Sequence, residues 1–399
     1  MIEIKKKSDC CGCTACANIC PKNCIEMRED EEGFLYPHVD KEKCINCGLC
    51  EKVCPVKNAK ENKKVKHTYI FQHKDDKIRR QSTSGGAFTA IAEYVIDKGG
   101  IVYGAIFDEN YNVIHKGIDK KDELYKFRNS KYVQSNPKST FKEVKENLEK
   151  NRYVCYSGTS CEIEGLKNYL SKDYDNLILV DVVCRAVPSP LVWRKYLNLR
   201  KKQYKDIKYI MFRDKYYGYK YSNLSIYNKN NDKKKEYHSG VESDPYLRAF
   251  FSNICDRPSC YECKFKKDNR ESDITIWDCF DVEKFNKSFD DDKGTSRVMT
   301  NSKKGEQIIK EISKNNNCEE IDFEKATKGF LAMYQPVKTN EKREKFFGDI
   351  NNLDEEYVFR KYFPDTYKVK IERNARKFLL KTGVYKPLLK MGKLIRKRD

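Results

Sequence analysis

The chain has 399 residues, of which 39% are hydrophobic and 35% charged, with a formal net charge of +20 and 18 cysteines. The 12% aromatic content excludes disorder throughout, and the length allows one small and one large domain. The start lacks the apolar segment of a signal peptide, and no stretch has the roughly 18 apolar residues of a membrane span. We therefore expect a cytoplasmic chain, in which closely spaced cysteines hold metal rather than form disulfides.

Two cysteine runs with the spacing CxxCxxCxxxCP lie within residues 1–58. The first comprises Cys10, Cys13, Cys16 and Cys20 before Pro21, and the second comprises Cys44, Cys47, Cys50 and Cys54 before Pro55. This repeat is typical of two-cluster bacterial ferredoxins, in which the fourth cysteine of each run ligates the other 4Fe-4S cluster. The rule assigns Cys54 to the cluster of the first run and Cys20 to that of the second. A zinc site is the alternative, but zinc requires neither the third cysteines nor the prolines.

Cys11 and Cys24 lie outside this pattern and receive no role. The segment between the runs, 27–40, contains Gly33 and Phe34 and predicts a hairpin that packs apolar groups over the clusters. The polar segment 58–66 is rich in lysine and predicts a linker.

From about residue 67 to 335, predicted strands and helices alternate, which indicates an α/β or α+β domain around a mixed sheet. Strands are predicted at Tyr69–Gln72, Ile101–Phe107, Tyr153–Tyr156 and Leu177–Val183. One helix carries Phe88 and Ile91 and stops at Gly99, another follows Pro137, and a third begins with Ser189 as cap and Pro190 as its first residue.

Two loops in this domain could bind a ligand. Ser84, Gly85 and Gly86 open a helix, where free backbone amides bind phosphate well, although an ordinary serine cap with packing glycines explains them equally. Ser157, Gly158 and Thr159 end a predicted strand, at the sheet edge where α/β proteins commonly bind ligands. A turn beside an inert buried cysteine is the alternative there.

A third cysteine motif, Cx4CxxC, comprises Cys255, Cys260 and Cys263. Three thiolates need a further ligand, for which Cys184 is the first candidate and Cys161 or Cys279 are substitutes. The motif thus predicts a third 4Fe-4S cluster, with zinc or unliganded thiols as alternatives.

The C-terminal segment, 336–399, predicts a basic helical tail that Gly383 and Pro387 interrupt. From Arg360 onward it has 14 Lys or Arg against 3 Asp or Glu, a net charge of +11. Such a tail can dock on its own domain, contact an anionic membrane surface or attract an acidic redox partner such as a ferredoxin or flavodoxin. Nucleic acid is a less favoured partner.

The order of the motifs resembles the family of coenzyme F420 hydrogenase/dehydrogenase beta subunits, here with an N-terminal ferredoxin. The motifs are STSGGAFTAI, VYGAIFD, SKYVQS, SGTSCEIEGLKNYL, VDVVCRAVPSP, SNICDRPSCYECKFK and DDKGTS. The resemblance implies an FAD-binding flavoprotein that passes electrons between a 4Fe-4S cluster and a hydride carrier such as a deazaflavin. It implies flavin contacts at Ser84, Gly85, Gly86, Ser157, Gly158 and Thr159, and cluster ligands at Cys184, Cys255, Cys260 and Cys263.

Three segments depart from the family pattern. Ser160 and Glu162 replace the proline and glutamine of GTPCQ, and Arg185 follows Cys184 where the family has CHG. The family's ADFWG segment appears as Trp277, Asp278, Cys279, Phe280 and Asp281. These changes fall near the expected flavin and substrate positions and leave the substrate undefined.

We therefore expect an iron–sulfur flavoenzyme that exchanges electrons with an acidic redox partner or another oxidoreductase subunit and acts on a small-molecule substrate. The alternative is an electron-carrier adaptor without flavin. The five histidines show no metal-binding spacing, so no catalytic acid or base is assigned.

Overall fold

The structure is a computed structural model that describes residues 1–59, 66–221, 223–229, 236–382 and 384. Most of the predicted linker, residues 60–65, and the predicted breaks at Gly383 and Pro387 lie outside the described residues.

The N-terminal region has a ferredoxin-like form. Each cysteine run leads into a short helix, α1 (Ala15–Ile19) or α2 (Leu49–Lys52), and the segment between them forms the antiparallel hairpin of β1 (Ile25–Glu29) and β2 (Leu35–Val39). At its turn, the Asp30 carboxylate accepts hydrogen bonds from the amides of Glu32 and Phe34. The hairpin therefore forms as predicted, but the place of Phe34 differs. Its fully buried ring packs into a core of the large domain instead of over the cysteines.

A mixed sheet forms the centre of the large domain, as the sequence predicts, and it has eight strands. Its strands are β3 (His67–Gln72), β4 (Ile101–Phe107), β5 (Val113–Ile118), β6 (Val154–Thr159), β7 (Leu177–Val182), β11 (Ile274–Asp278), β12 (Ser296–Thr300) and β13 (Asn317–Ile321). Their order is β13-β3-β12-β11-β7-β6-β4-β5. The neighbours among β4, β6, β7 and β11 are parallel, and all other pairs are antiparallel. The carboxyl ends of the four parallel strands therefore share one edge.

Helices cover both faces of this sheet. One face packs on α4 (Ala87–Asp97) and α10 (Lys303–Ser313), and the other on α5 (Thr140–Glu149) and α6 (Ser160–Leu170). Because side chains alternate along a strand, Cys155 of β6 enters the first core and Tyr156 the second. The result is a three-layer α/β/α arrangement.

A separate aromatic core surrounds Trp193. It lies between the small antiparallel sheet of β8 (Ile207–Asp214), β9 (Asn223–Asn228) and β10 (Tyr237–Ser239) and the helices α7 (Pro190–Gln203), α8 (Pro245–Phe251), α13 (Arg343–Asn352) and α14 (Glu355–Tyr362). The Ser189 hydroxyl accepts a hydrogen bond from the Val192 amide at 3.2 Å, so this residue caps α7 as predicted. Phe346 and Phe359 bring α13 and α14 into the same core.

The remaining helices are short, apart from the terminal one. They are α3 (Asp76–Gln81), α9 (Pro258–Tyr261), α11 (Phe323–Thr327), α12 (Leu331–Tyr334) and α15 (Tyr367–Lys381). Within the described ranges, no helix combines the length and apolar character needed to cross a membrane.

Candidate iron–sulfur centres

The four cysteines assigned to the first cluster, Cys10, Cys13, Cys16 and Cys54, are called site one. Cys16 lies near the other three. Burial raises the pKa of the Cys16 thiol, and the nearby Cys10 and Cys54 thiols raise it further. Four thiolates in so small a space repel one another, and positively charged iron removes that repulsion. The donor set thus fits a 4Fe-4S cluster.

The second set, Cys20, Cys44, Cys47 and Cys50, lines one cavity and is called site two. This site lies close to the surface, because Cys47 is exposed and the neighbouring Ile45 is 57% exposed. The unassigned Cys24 lies in the same cavity, with its Sγ 3.3 Å from that of Cys20.

A second cysteine-lined cavity, site three, lies at the carboxyl edge of the main sheet. Cys161 enters it from the first turn of α6, Cys184 from the segment after β7, and Cys260 from α9. Cys263 completes a set of four, and Cys11 of the N-terminal region lines the same cavity.

The other two cysteines considered for this cluster lie elsewhere. Cys255 is fully buried in the Trp193 core, where its carbonyl accepts a hydrogen bond from the Ser189 amide at 2.8 Å. Cys279 packs with Ile70 and Val282. The structure therefore brings together Cys184, Cys260 and Cys263 of the predicted set, with Cys161 in place of Cys255. In the described part of the chain, no group of three or more His, Cys, Asp or Glu is arranged to hold a single metal ion.

The charges around site three favour neutral thiols as long as no metal is present. Burial raises the pKa of Cys184 to about 12, Lys266 opposes this, and Cys161 and Cys263 add to it. The Lys266 ammonium is held in place by the carbonyl oxygens of Cys184, Arg185 and Ala332. A metal cluster with several positive irons would offset the desolvation and bind the thiolates.

Sites one and three adjoin each other. Cys11, Cys13, Cys54, Cys161 and Cys263 pack in a single cluster of side chains. Helix α6 approaches the first cysteine loop so closely that a Cβ atom on Gly165 would lie 2.9 Å from the Cys13 Sγ. The two sets of thiols therefore pack against each other across the start of α6.

Arg257 links the N-terminal region to the large domain at site one. Its guanidinium is fully buried and donates to the Cys10 carbonyl at 2.7 Å, the Cys10 Sγ at 3.5 Å and the Leu35 carbonyl at 2.9 Å. It also stacks on Tyr36, 4.4 Å from the ring centre. No spacing rule singles out this arginine, which the sequence analysis missed.

The loop of Ser84, Gly85 and Gly86 lies beside the start of β12. The Ser84 and Ser296 hydroxyls are 2.8 Å apart, and the Gly85 amide donates to the Ser296 hydroxyl at 2.9 Å. A Cβ on Gly85 would lie 2.1 Å from the Phe71 carbonyl oxygen, so packing alone explains this glycine. Gly86, with φ of +85°, starts α4, and no side chain of the described residues caps the amides of its first turn.

Lys215, another residue that the sequence analysis missed, holds this loop in place through hydrogen bonds of its ammonium group. Its ammonium donates to the carbonyl oxygens of Arg79, Ser84 and Lys293 at 2.6, 2.6 and 2.7 Å. The STSGG and DDKGTS motifs, far apart in the sequence, are therefore neighbours.

The second loop, Ser157, Gly158 and Thr159, uses its polar groups within the protein. The Thr159 amide and hydroxyl donate to the Glu162 carboxylate at 2.7 and 2.9 Å, and the Ser157 carbonyl accepts from His115 at 3.0 Å. A Cβ on Gly158 would lie 2.8 Å from the same carboxylate. As flavin-binding residues these three stay a prediction, one that their contacts do not favour, and the loop positions Cys161 instead.

Two of the departures from the family pattern form buried polar contacts. Ser160 and Arg270 both bind the Asp181 carboxylate, at 2.7 Å each, beneath site three. Asp278 forms an ion pair with Arg213 at 2.9 Å.

Comparisons with known proteins match two parts of the chain. Residues 9–58 match the model of the 4Fe-4S dicluster domain, and residues 151–326 match that of the C terminus of the beta subunit of coenzyme F420 hydrogenase/dehydrogenase. The F subunit of the F420H2 dehydrogenase of Methanosarcina mazei is 22% identical over 45% of this chain and 53% of its own length. The I 2 subunit of the NADH-quinone oxidoreductase of Geobacter metallireducens is 40% identical over 12% of this chain and 42% of its own length. The chain thus spans about half the length of these relatives.

Among solved structures, a chain of the F420-reducing NiFe hydrogenase complex from Methanosarcina barkeri aligns with a TM-score of 0.43 and 14% identity, over 75% of this chain and 91% of that one. The two family models fall on the regions that carry the cysteine sites. The protein is therefore an iron–sulfur protein whose residues 9–58 match the 4Fe-4S dicluster domain and whose residues 151–326 match the C terminus of coenzyme F420 hydrogenase/dehydrogenase beta subunits.

Proposed function

We propose that the chain is a cytoplasmic oxidoreductase subunit that conducts electrons between a redox partner and a small-molecule substrate through three 4Fe-4S clusters and bound FAD. The observation that carries this proposal is the packing of sites one and three against each other at Cys11, Cys13 and Cys161. Electron transfer between cofactors requires short separations, and no movement of the chain is needed to bring these two sets of thiols together.

The third cluster would be held by Cys161, Cys184, Cys260 and Cys263. These four line one cavity, whereas Cys255 does not reach it. A cluster bound there takes up and releases single electrons. Lys266, which lines the same cavity, places positive charge beside it.

Site two is the proposed point of exchange with the partner, because Cys47 and Ile45 are exposed there. An acidic ferredoxin or flavodoxin, or another oxidoreductase subunit, is the proposed partner. Its contact with an exposed cluster would complete a path from site two through site one to site three.

For FAD, the first turn of α4 after Gly86 is the proposed phosphate site. Bound flavin exchanges single electrons with a cluster and electron pairs with an organic substrate, which reconciles the two kinds of chemistry. Lys215 and Ser296 hold the Ser84–Gly86 loop in position for such a contact. Deazaflavin as the hydride carrier rests on the family resemblance alone.

Anaerobic purification followed by iron and flavin analysis tests the proposal. Three cubanes require about twelve irons per chain, against about eight for the ferredoxin clusters alone. We expect Cys161→Ser to lower the iron content to about eight per chain, while Cys255→Ser keeps about twelve because Cys255 lies outside site three.

The third cluster and the bound FAD are tested by different outcomes of this experiment. About eight irons in the wild type would remove the third cluster, and loss of iron in Cys255→Ser but not in Cys161→Ser would reverse the ligand assignment. Twelve irons without heat-released FAD would support the electron-carrier adaptor instead of the flavoenzyme.

A further inference from the structure

Helix α15 exposes a stripe of large apolar side chains. Tyr367, Ile371 and Phe378 are 80%, 53% and 65% exposed. Their spacing of four and seven residues places them on one side of the helix. The protein itself therefore does not bury any of these three apolar side chains.

The opposite side of α15 is attached to the body of the protein. Arg376 lies half a turn away from the stripe, where its guanidinium pairs with Glu242 at 3.6 Å and stacks on Tyr221 at 5.5 Å from the ring centre. These two contacts hold the opposite side of α15 against the body of the protein. The stripe therefore points to solvent because the helix is docked there, not because its end has unfolded.

Positive charge flanks the stripe. Lys368 and Lys370 are exposed on either side of it. The sequence that follows residue 384 adds six Lys or Arg against one Asp. An apolar stripe with a basic border matches the interface of an anionic bilayer, where apolar side chains enter the acyl boundary and lysines meet the phosphates.

We propose that the outer face of α15 binds an anionic membrane surface and attaches the protein to it peripherally. Burial of Tyr367, Ile371 and Phe378 supplies the apolar part, and Lys368 and Lys370 supply the charge selectivity. This proposal is independent of the flavin and of the third cluster, because it depends only on the terminal helix.

Co-flotation of the full-length, iron-loaded chain with lipid vesicles tests the proposal. Vesicles of phosphatidylcholine with phosphatidylglycerol should bind the wild type, pure phosphatidylcholine vesicles should bind it weakly, and added salt should reduce binding. Ile371→Ser combined with Phe378→Ser should lower the partition coefficient about tenfold or more, because two apolar side chains that enter the bilayer are lost. Leu331→Ser is the matched control, since Leu331 is 63% exposed on another helix.

Unchanged iron content and circular dichroism would show that the double variant is folded. Equal partitioning of double variant and wild type would overturn the proposal, as would equal binding to neutral and anionic vesicles or no binding at all. Two further results would also overturn it: a wild-type dimer that the double substitution dissociates without any vesicle binding, and an affinity for duplex DNA that depends on the stripe while vesicles stay unbound.

Discussion

Arg257 is a fully buried positive charge beside a predicted cluster ligand. Its donation to the Cys10 Sγ and its charge both stabilise the more negative, reduced state of a cluster at site one. We expect Arg257→Gln to lower the midpoint potential of one cluster. An anaerobic redox titration followed by electron paramagnetic resonance measures this potential.

Arg257→Lys is the matched control, because it keeps the charge but loses the stacking on Tyr36 and part of the hydrogen-bond set. Its potential should stay nearer to that of the wild type. Equal shifts in both variants would assign the effect to disturbed packing and contradict a role for the charge.

The assignment of single residues from sequence is most specific where spacing carries the information. The eight ferredoxin cysteines follow a fixed local pattern and lie near one another in the structure, while their division into two ligand sets stays a prediction. Cys255 and Cys161 show where spacing stops being informative. Cys255 precedes Cys260 by only five residues but lies in the Trp193 core, whereas Cys161 reaches site three from a strand end about a hundred residues away in the sequence.

At the scale of an element, α6 depends on a reciprocal cap at its start. The Glu162 carboxylate accepts from the amide and the hydroxyl of Thr159, and the turn that it closes carries Cys161. We expect Glu162→Ala to lower the free energy of unfolding by about 1 kcal/mol, the usual effect of losing a helix cap. Thermal denaturation under anaerobic conditions measures the change.

Glu162→Gln serves as the comparison, since glutamine also fits a capping box and is the residue that the family pattern has here. It should retain most of the stability. If the glutamine variant lost as much stability as the alanine variant, the charge rather than the cap would matter.

Half of the strands of the main sheet were predictable because their signals are local. Apolar runs such as Leu177–Val182 and stops such as Gly99 predicted β3, β4, β6 and β7 with small errors at the ends, whereas β5, β11, β12 and β13 were not predicted. The contact between the STSGG and DDKGTS loops was not predictable from those signals, since Lys215 and Ser296 meet Ser84 only through the sheet topology.

At the scale of the whole molecule, the ferredoxin-like region is built into the large domain. Phe34 is fully buried in the Trp193 core, and the Glu32 carboxylate pairs with both terminal nitrogens of Arg343 at 2.7 and 2.5 Å. We expect Phe34→Ala to destabilise the protein by about 3–5 kcal/mol, as for other buried aromatic truncations. Circular dichroism and the visible absorbance of the clusters should then report one shared transition at a lower temperature.

Phe34→Leu should cost less, because leucine refills much of the space. Separate transitions, with the cluster absorbance lost at an unchanged temperature, would contradict this coupling and indicate that the two regions unfold independently. The sequence predicted a hairpin here but could not show which core its phenylalanine would join.

The close approach of Gly165 to Cys13 reverses a common rule of protein engineering. Replacing glycine by alanine inside a helix ordinarily adds about 0.5–1 kcal/mol of stability. Here the added methyl group would lie 2.9 Å from the Cys13 Sγ and 3.0 Å from its Cβ, so the first cysteine loop would have to shift away from the helix. A substitution chosen to strengthen α6 would thus widen the separation between sites one and three.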